Sequence, residues 1–340
     1  MQLVFHDESH QLHNPEMWFY RGVAQKSREV AERAWVMKTA LVAAGHEVRV
    51  PADFGLEPIE RVHTSRYLKF LEVAYDDWVA LEGTGPEVVA NMFPIGKEPG
   101  YPQIISGRAG FHMEDLSCPI NAHTWRAAYG AAQTAIAAAD AMIHGKGNTQ
   151  TYGLCRPPGH HAFAERAAGY CYLNNAAIAA QYLRDHGADR VSVLDVDVHH
   201  GNGTQDIFYD RGDVQFVSLH GDPANFSPFF WGYKEQIGRG EGEGATVNFP
   251  LPLGVSEADY LVALSVALKA IEAFGPDALV ISLGLDTFVG DPYAAFGITT
   301  AGYGRIASKI NALKKPSVVV QEGGYLCPEL GENLVTFLRG

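Results

Sequence analysis

Eight short apolar runs, with helix-patterned stretches between many of them, constrain the fold of this chain more than any other feature. They lie at residues 3–6, 47–50, 151–155, 190–198, 214–220, 246–250, 278–285 and 317–321. Several are apolar throughout instead of alternating, as strands buried on both faces are. Strands alternating with helices predict an α/β fold with a parallel sheet covered on both sides. In such sheets, sites lie beyond the carboxyl ends of the strands. Between the runs, Ala34, Met37 and Leu41 form a helical stripe that Gly45 can stop. Thr124 is predicted to cap a helix carrying Tyr129, Ala132 and Ile136, which ends at Gly145. Ser256 with Asp259 predicts a capping box ahead of Leu261, Leu264, Leu268 and Ile271, with Gly275-Pro276 as the stop.

A chain of 340 residues can form one α/β domain, and 47% apolar with 19% charged residues is enough for a large core. The net charge of −13 argues against nucleic acid, which selects a basic face, and fits either a cationic partner or simply a solvated acidic surface. Cys118, Cys155, Cys171 and Cys327 form no C-x-x-C pair, which fits a reducing, cytoplasmic setting. The start lacks a basic segment followed by an apolar stretch. No run approaches the ~18 apolar residues of a membrane span. Residues 82–122 break the pattern, being rich in Gly and Pro and poor in periodicity. They nevertheless carry Phe93, Ile95, Tyr101, Ile104, Ile105, Phe111 and Met113. The segment is predicted to fold and to shape a site entrance or an oligomer contact.

The chemistry is concentrated after the runs. Residues 194–203 read Leu-Asp-Val-Asp-Val-His-His-Gly-Asn-Gly. Alternation along a strand predicts that Asp195, Asp197 and His199 point to one spot. Two buried carboxylates and an imidazole need a cation there, and zinc, iron(II) or cobalt(II) suits such oxygen and nitrogen donors. Gly201 and Gly203 are expected to let the backbone turn away. Asp286 follows another apolar run and is placed to complete an Asp-His-Asp set. Arg156-Pro-Pro-Gly-His160-His161 puts paired imidazoles on a stiff turn, which suits proton transfer. Gly169-Tyr170-Cys-Tyr-Leu-Asn-Asn175 is a candidate pocket wall, and Glu322-Gly-Gly-Tyr325 brings in a phenol able to donate to an oxyanion.

These five blocks, in this order over residues 156–325, resemble the histone-deacetylase/acetylpolyamine-amidohydrolase superfamily. Residues 82–122 and Ser218-Leu-His-Gly-Asp-Pro-Ala are most similar to its bacterial acetylpolyamine amidohydrolase branch. The resemblance implies a three-layer α/β/α arginase-like fold around an eight-stranded parallel sheet. It implies zinc on Asp197, His199 and Asp286, tandem histidines His160 and His161, and Tyr325 polarising the amide carbonyl. Asp195 would stand behind His160, and Asn202 behind His161, where some relatives have an acid. A structural potassium would use Asp195, Asp197, His199, Ser218 and Leu219.

The expected reaction is hydrolysis of an acetylated polyamine to acetate and amine, with a homodimer formed through residues 82–122. Tyr20, Gly169, Tyr170 and Phe226 are candidate channel residues, and Glu98, Glu114 and Asp115 candidate acids for a cationic substrate. The positions matching the acids of polyamine-cleaving relatives are alternatively the uncharged Ser106 and Ser117. Three rivals remain at this level: an acetyl-lysine peptide deacetylase, a two-metal ureohydrolase and a sensor without catalysis. The division of labour between His160 and His161 is left open.

Overall fold

The computed structural model describes residues 3–94, 98–145 and 150–340; Ile95 of the apolar excursion falls outside them. The chain begins with β1 (Leu3–Phe5) and an antiparallel hairpin, β2 (Met17–Tyr20) and β3 (Val23–Lys26), before α1 (Glu32–Ala43) and β4 (Glu47–Arg49). Helices α2 (Glu57–Glu60), α3 (Ser65–Val79), α4 (Ile105–His112) and α5 (Thr124–Ile143) precede β5 (Gln150–Gly153). Then come α6 (Asn175–Asp185), β6 (Val191–Asp195), α7 (Asn202–Phe208), β7 (Val214–Gly221) and β8 (Thr246–Leu251). The chain closes with α8 (Glu257–Phe274), β9 (Ala278–Leu283), α9 (Thr300–Asn311), β10 (Ser317–Gln321) and α10 (Leu330–Arg339).

Each of the eight predicted runs contains a strand of one parallel sheet, in the order β4-β1-β5-β10-β9-β6-β7-β8. Period-two alternation divides these strands between two cores. Val191, Val193, Val280, Val318 and Val320 face the layer holding α3, α5 and α6. Leu194, Leu279, Ile281 and Val319 face the layer holding α1, α8, α9 and α10. Helices on both faces explain why the strands read as unbroken apolar runs. The order also puts β5, β10, β9 and β6 side by side, so the turns after them share one end of the sheet.

Several local expectations need correction. Thr124 is not the cap of α5; His123 holds that position, and the Thr124 hydroxyl accepts from Asn121 N at 2.9 Å. The Ser256 hydroxyl does accept from Asp259 N, but Asp259 answers the hydroxyl (2.7 Å). Within residues 82–122, α4 forms, and Val88 bridges Ile120. The β2–β3 hairpin was not anticipated. Its strands are four residues each and largely exposed, so neither length nor alternation marks them. Its turn is carried by Arg21 (φ 51°) and Gly22 (φ 78°), a left-handed pair of the type that matches strand twist.

Candidate active site

Strand β6 ends at Asp195, so alternation does not carry through to His199. Asp195 does not join the convergence point. Its Oδ2 accepts from His160 Nδ1 at 2.9 Å, and its Oδ1 accepts from Asp197 N at 3.1 Å. The convergent set is Asp197, His199 and Asp286, all buried, with donor atoms within 4.8 Å of one another. His199 Nδ1 lies 3.2 Å from both Asp197 Oδ1 and Asp286 Oδ2. The backbone holds the other oxygens: Gly323 N donates to Asp197 Oδ2 at 2.8 Å and Val198 N to Asp286 Oδ1 at 3.0 Å. A Cβ on Gly323 or Gly284 would run into these carboxylates.

The residues present fit a metal ion. Burial and the neighbouring Asp197 push the Asp286 carboxyl up to about 7, the mark of two carboxylates crowded in a dry site. A divalent cation bound to both carboxylates and the imidazole relieves that repulsion. A second group, His160, Cys171 and Glu322, has donor atoms equally close. There, however, Glu322 Oε2 accepts from Gly159 N (2.7 Å) and His160 N (3.0 Å), so the carboxylate already faces N–H donors.

The tandem histidines differ in environment. Burial lowers the His160 pKa, but Asp195 and Asp197 outweigh it and raise the value to about 10. His161 is driven well below the ordinary imidazole value by burial, by His160 and by His199. Its Nδ1 donates to Asn202 Oδ1 at 2.6 Å, which leaves Nε2 as its basic nitrogen. The two rings are 4.0 Å apart. Gly201 and Gly203 are required for space here; neither has positive φ. A Cβ at Gly201 would strike Asp195, and one at Gly203 would strike the Ala162 carbonyl.

Tyr325, His161 and His199 open into a cavity of about 450 Å³ with an aromatic wall of Trp18, Tyr20, Tyr170, Phe226 and Tyr293. Four larger clefts, of about 700, 710, 570 and 510 Å³, contain none of these three residues. Phe226 stacks on His199 at 4.9 Å, and Tyr293 meets both His199 and Tyr325 edge-on at 4.9 Å. Gly169 (φ 52°) and Tyr170 (φ 69°) form a left-handed pair, and a Cβ on Gly169 would strike the His161 ring. Asp291, 3% exposed, accepts from Tyr325 N and from Tyr293 N at 2.8 Å each.

The candidate acids do not form a free anionic lining. Glu114 pairs with Arg166 at 2.7 Å and lies off the cavity, and Glu98 is exposed and also off it. Asp115 reaches the wall, but its oxygens accept from Ser117 N, Ser117 Oγ and Gly169 N. Ser117 lines the cavity and Ser106 sits in α4, outside the lining. Ser218 stands beside Asp195 in the β6–β7 register, with Leu219 next along β7. Sequence reasoning missed Trp18, Tyr293, Asp291 and the role of Glu322. Glu322 stood inside a quoted motif, and Asp291 followed Asp286 by five residues; the Trp18 wall had no local signal.

The family model for the histone deacetylase domain matches residues 26–340. An acetylpolyamine amidohydrolase of Burkholderia pseudomallei is 48% identical over 100% of this chain and 98% of its own. One from Mycoplana ramosa is 44% identical, covering 100% and 99%. A crystal structure of acetylpolyamine aminohydrolase from Burkholderia pseudomallei superimposes with a TM-score of 0.96 at 46% identity, over 100% of this chain and 98% of the other. This chain therefore belongs to the histone deacetylase domain family and is a deacetylase, a hydrolase.

Proposed function

We propose that the enzyme removes acetyl groups from acetylated polyamines such as acetylputrescine, acetylcadaverine and acetylspermidine, with zinc on Asp197, His199 and Asp286. The observation that carries this reading is that His199 of the donor set opens, with His161 and Tyr325, into one aromatic-walled cavity. Full-length similarity to acetylpolyamine amidohydrolases supports it. Iron(II) or cobalt(II) would suit the same donors. Bound zinc would polarise the acetyl carbonyl and bring the pKa of water toward about 7.

The chain's own groups do the rest. His161, neutral and facing the cavity, takes a proton from the attacking water at Nε2. Tyr325 donates its hydroxyl hydrogen bond to the developing oxyanion. His160, hydrogen-bonded to Asp195 and set back from the cavity, is oriented by that carboxylate, and its closeness favours a neutral His161. As the amide C–N bond breaks, protonated His161 passes its proton to the leaving nitrogen, and the products are acetate and free amine. Among the described residues no carboxylate free of hydrogen-bond donors lines the cavity, so the distal ammonium would rest against the aromatic wall that includes Trp18 and Tyr20.

The same reading includes a potassium ion bound by Asp195, Asp197, His199, Ser218 and Leu219, supported by the adjacency of β6 and β7. It includes a homodimer through residues 82–122, where Met92 and Ile104 stand 70% and 54% exposed. It includes a cytoplasmic setting, supported by four free thiols. An acetate-release assay on metal-reconstituted enzyme tests the substrate, comparing kcat/KM for acetylputrescine and acetylspermidine with an acetyl-lysine peptide. Higher kcat/KM for the acetylated amines is expected; preference for the peptide would overturn the substrate assignment.

A further inference from the structure

We propose that Glu322 is a positioning residue for the tandem histidines: its buried carboxylate fixes the Gly159–His160 backbone and so aims both imidazoles at the metal-binding group. Glu322 is fully buried, and among the described residues no Lys or Arg forms an ion pair with it. Three donors converge on it instead. Gly159 N and His160 N meet Oε2, and Ser282 Oγ donates to Oε1 at 3.1 Å. As a carboxylate Glu322 is an acceptor-only partner for three donors; burial pushes its pKa up to about 7, and the bonds from Gly159 N and His160 N act against that rise.

The position of Glu322 gives these bonds their importance. It follows β10, which lies between β5 and β9, so its side chain links Ser282 of β9 to the histidine turn that comes after β5. Its own carbonyl accepts from Arg33 Nη2 at 2.7 Å, which anchors the segment from below. The next residue, Gly323, donates to Asp197, and Tyr325 follows two residues later. One short segment therefore sets the spacing among the histidine turn, the metal-binding group and the phenol. The other side of the histidine turn is held by neutral groups: Asn175 Nδ2 to Pro157 O at 3.1 Å, Asn174 Nδ2 to Ala162 O at 2.9 Å and Thr204 N to His160 O at 3.1 Å.

The inference rests on the mechanism proposed for this site, and the comparison of variant with parent separates the two. Failure of the parent to release acetate from any acetylated amine would sink that mechanism and this role with it, whereas in an active parent only the role of Glu322 is at issue. In Glu322→Gln the shape remains, but one acceptor becomes a donor. With metal-reconstituted full-length enzyme, kcat should fall roughly tenfold, the low end of what loss of an orienting partner costs. KM, metal stoichiometry and melting temperature should stay near parental values. Ser282→Ala, which removes one donor, should lower kcat by about threefold and covers the case of a glutamine variant that does not fold. Parental kcat in a folded Glu322→Gln, or in Ser282→Ala if the former does not fold, overturns the proposal. So does a loss that appears in metal content or KM while kcat holds.

Discussion

At the carboxyl ends of β5, β6, β9 and β10, Asp195, Asp197, Asp286 and Glu322 each accept from named donors, and glycines stand wherever a Cβ would collide. At the rim the pattern reverses. Trp18 Nε1 is buried without a hydrogen-bond partner among the described residues, and Phe19 and Phe229 stand 43% and 49% exposed. The floor is over-determined by hydrogen bonds, whereas the rim is a surface of apolar faces held by packing. Fixed chemistry and adaptable selection are thereby assigned to different parts of one cavity.

The comparison predicts unequal losses. Replacing Asp197 by Asn should empty the metal-binding group and lower kcat by ~10³-fold or more, since a bound metal supplies several kcal/mol. Metal content by mass spectrometry alongside acetate release checks it, and a metal-free variant with parental turnover would break the picture of the floor. Tyr325→Phe should keep its metal and lower kcat on the order of 10²–10³-fold, as for loss of one oxyanion donor. Parental turnover there removes Tyr325 from the chemistry.

A pH series probes the interior separately. Burial lowers the His13 imidazole to about 3 and the His63 imidazole to about 4, from an ordinary 6.5. The unfolded chain therefore takes up these protons first as the pH falls. Their stabilising contribution is complete above 6.5 and is lost below it, at about 1.4 kcal/mol per pH unit for each group. The melting temperature should drop between pH 7 and pH 5; a flat profile would contradict neutral burial of the two rings.

At the rim, Trp18→Ala should raise KM for acetylputrescine by about tenfold, with kcat within about twofold, because an aromatic wall binds ground and transition states alike. A loss confined to kcat would move Trp18 from selection to chemistry. The smallest effect belongs to Glu114→Gln. Its carboxylate is spent on Arg166 at the surface, so kcat/KM should change by less than about twofold. A larger drop would restore Glu114 as a contact for the cationic substrate.

The central strands β6, β7, β9 and β10 were legible because burial on both faces leaves continuous apolar runs, whereas the exposed edge strand β4 (Glu47–Arg49) carries little such signal. The Asp197, His199 and Asp286 donors were legible because each lies a few residues beyond such a run. Gly201 and Gly203 were noticed as turn residues; the space they leave, for the Asp195 carboxylate at Gly201 and the Ala162 carbonyl at Gly203, is a requirement that turn geometry does not reveal. The acids of the excursion misled because composition counts charges without saying which ones, like Glu114, are already paired.

Local sequence by itself determined where strands end and which reactive side chains follow them, because strand, turn and side chain lie within about ten residues of one another. Only the tertiary structure decided that β10 lies between β5 and β9, and so brought Glu322 to Gly159 across 163 positions. It likewise decided that a hairpin from the start of the chain walls a cavity whose phenol comes from its end. Such pairings depend on which long loops close and which faces bury together. That is a global balance of burial against chain entropy, and no short window of sequence contains it.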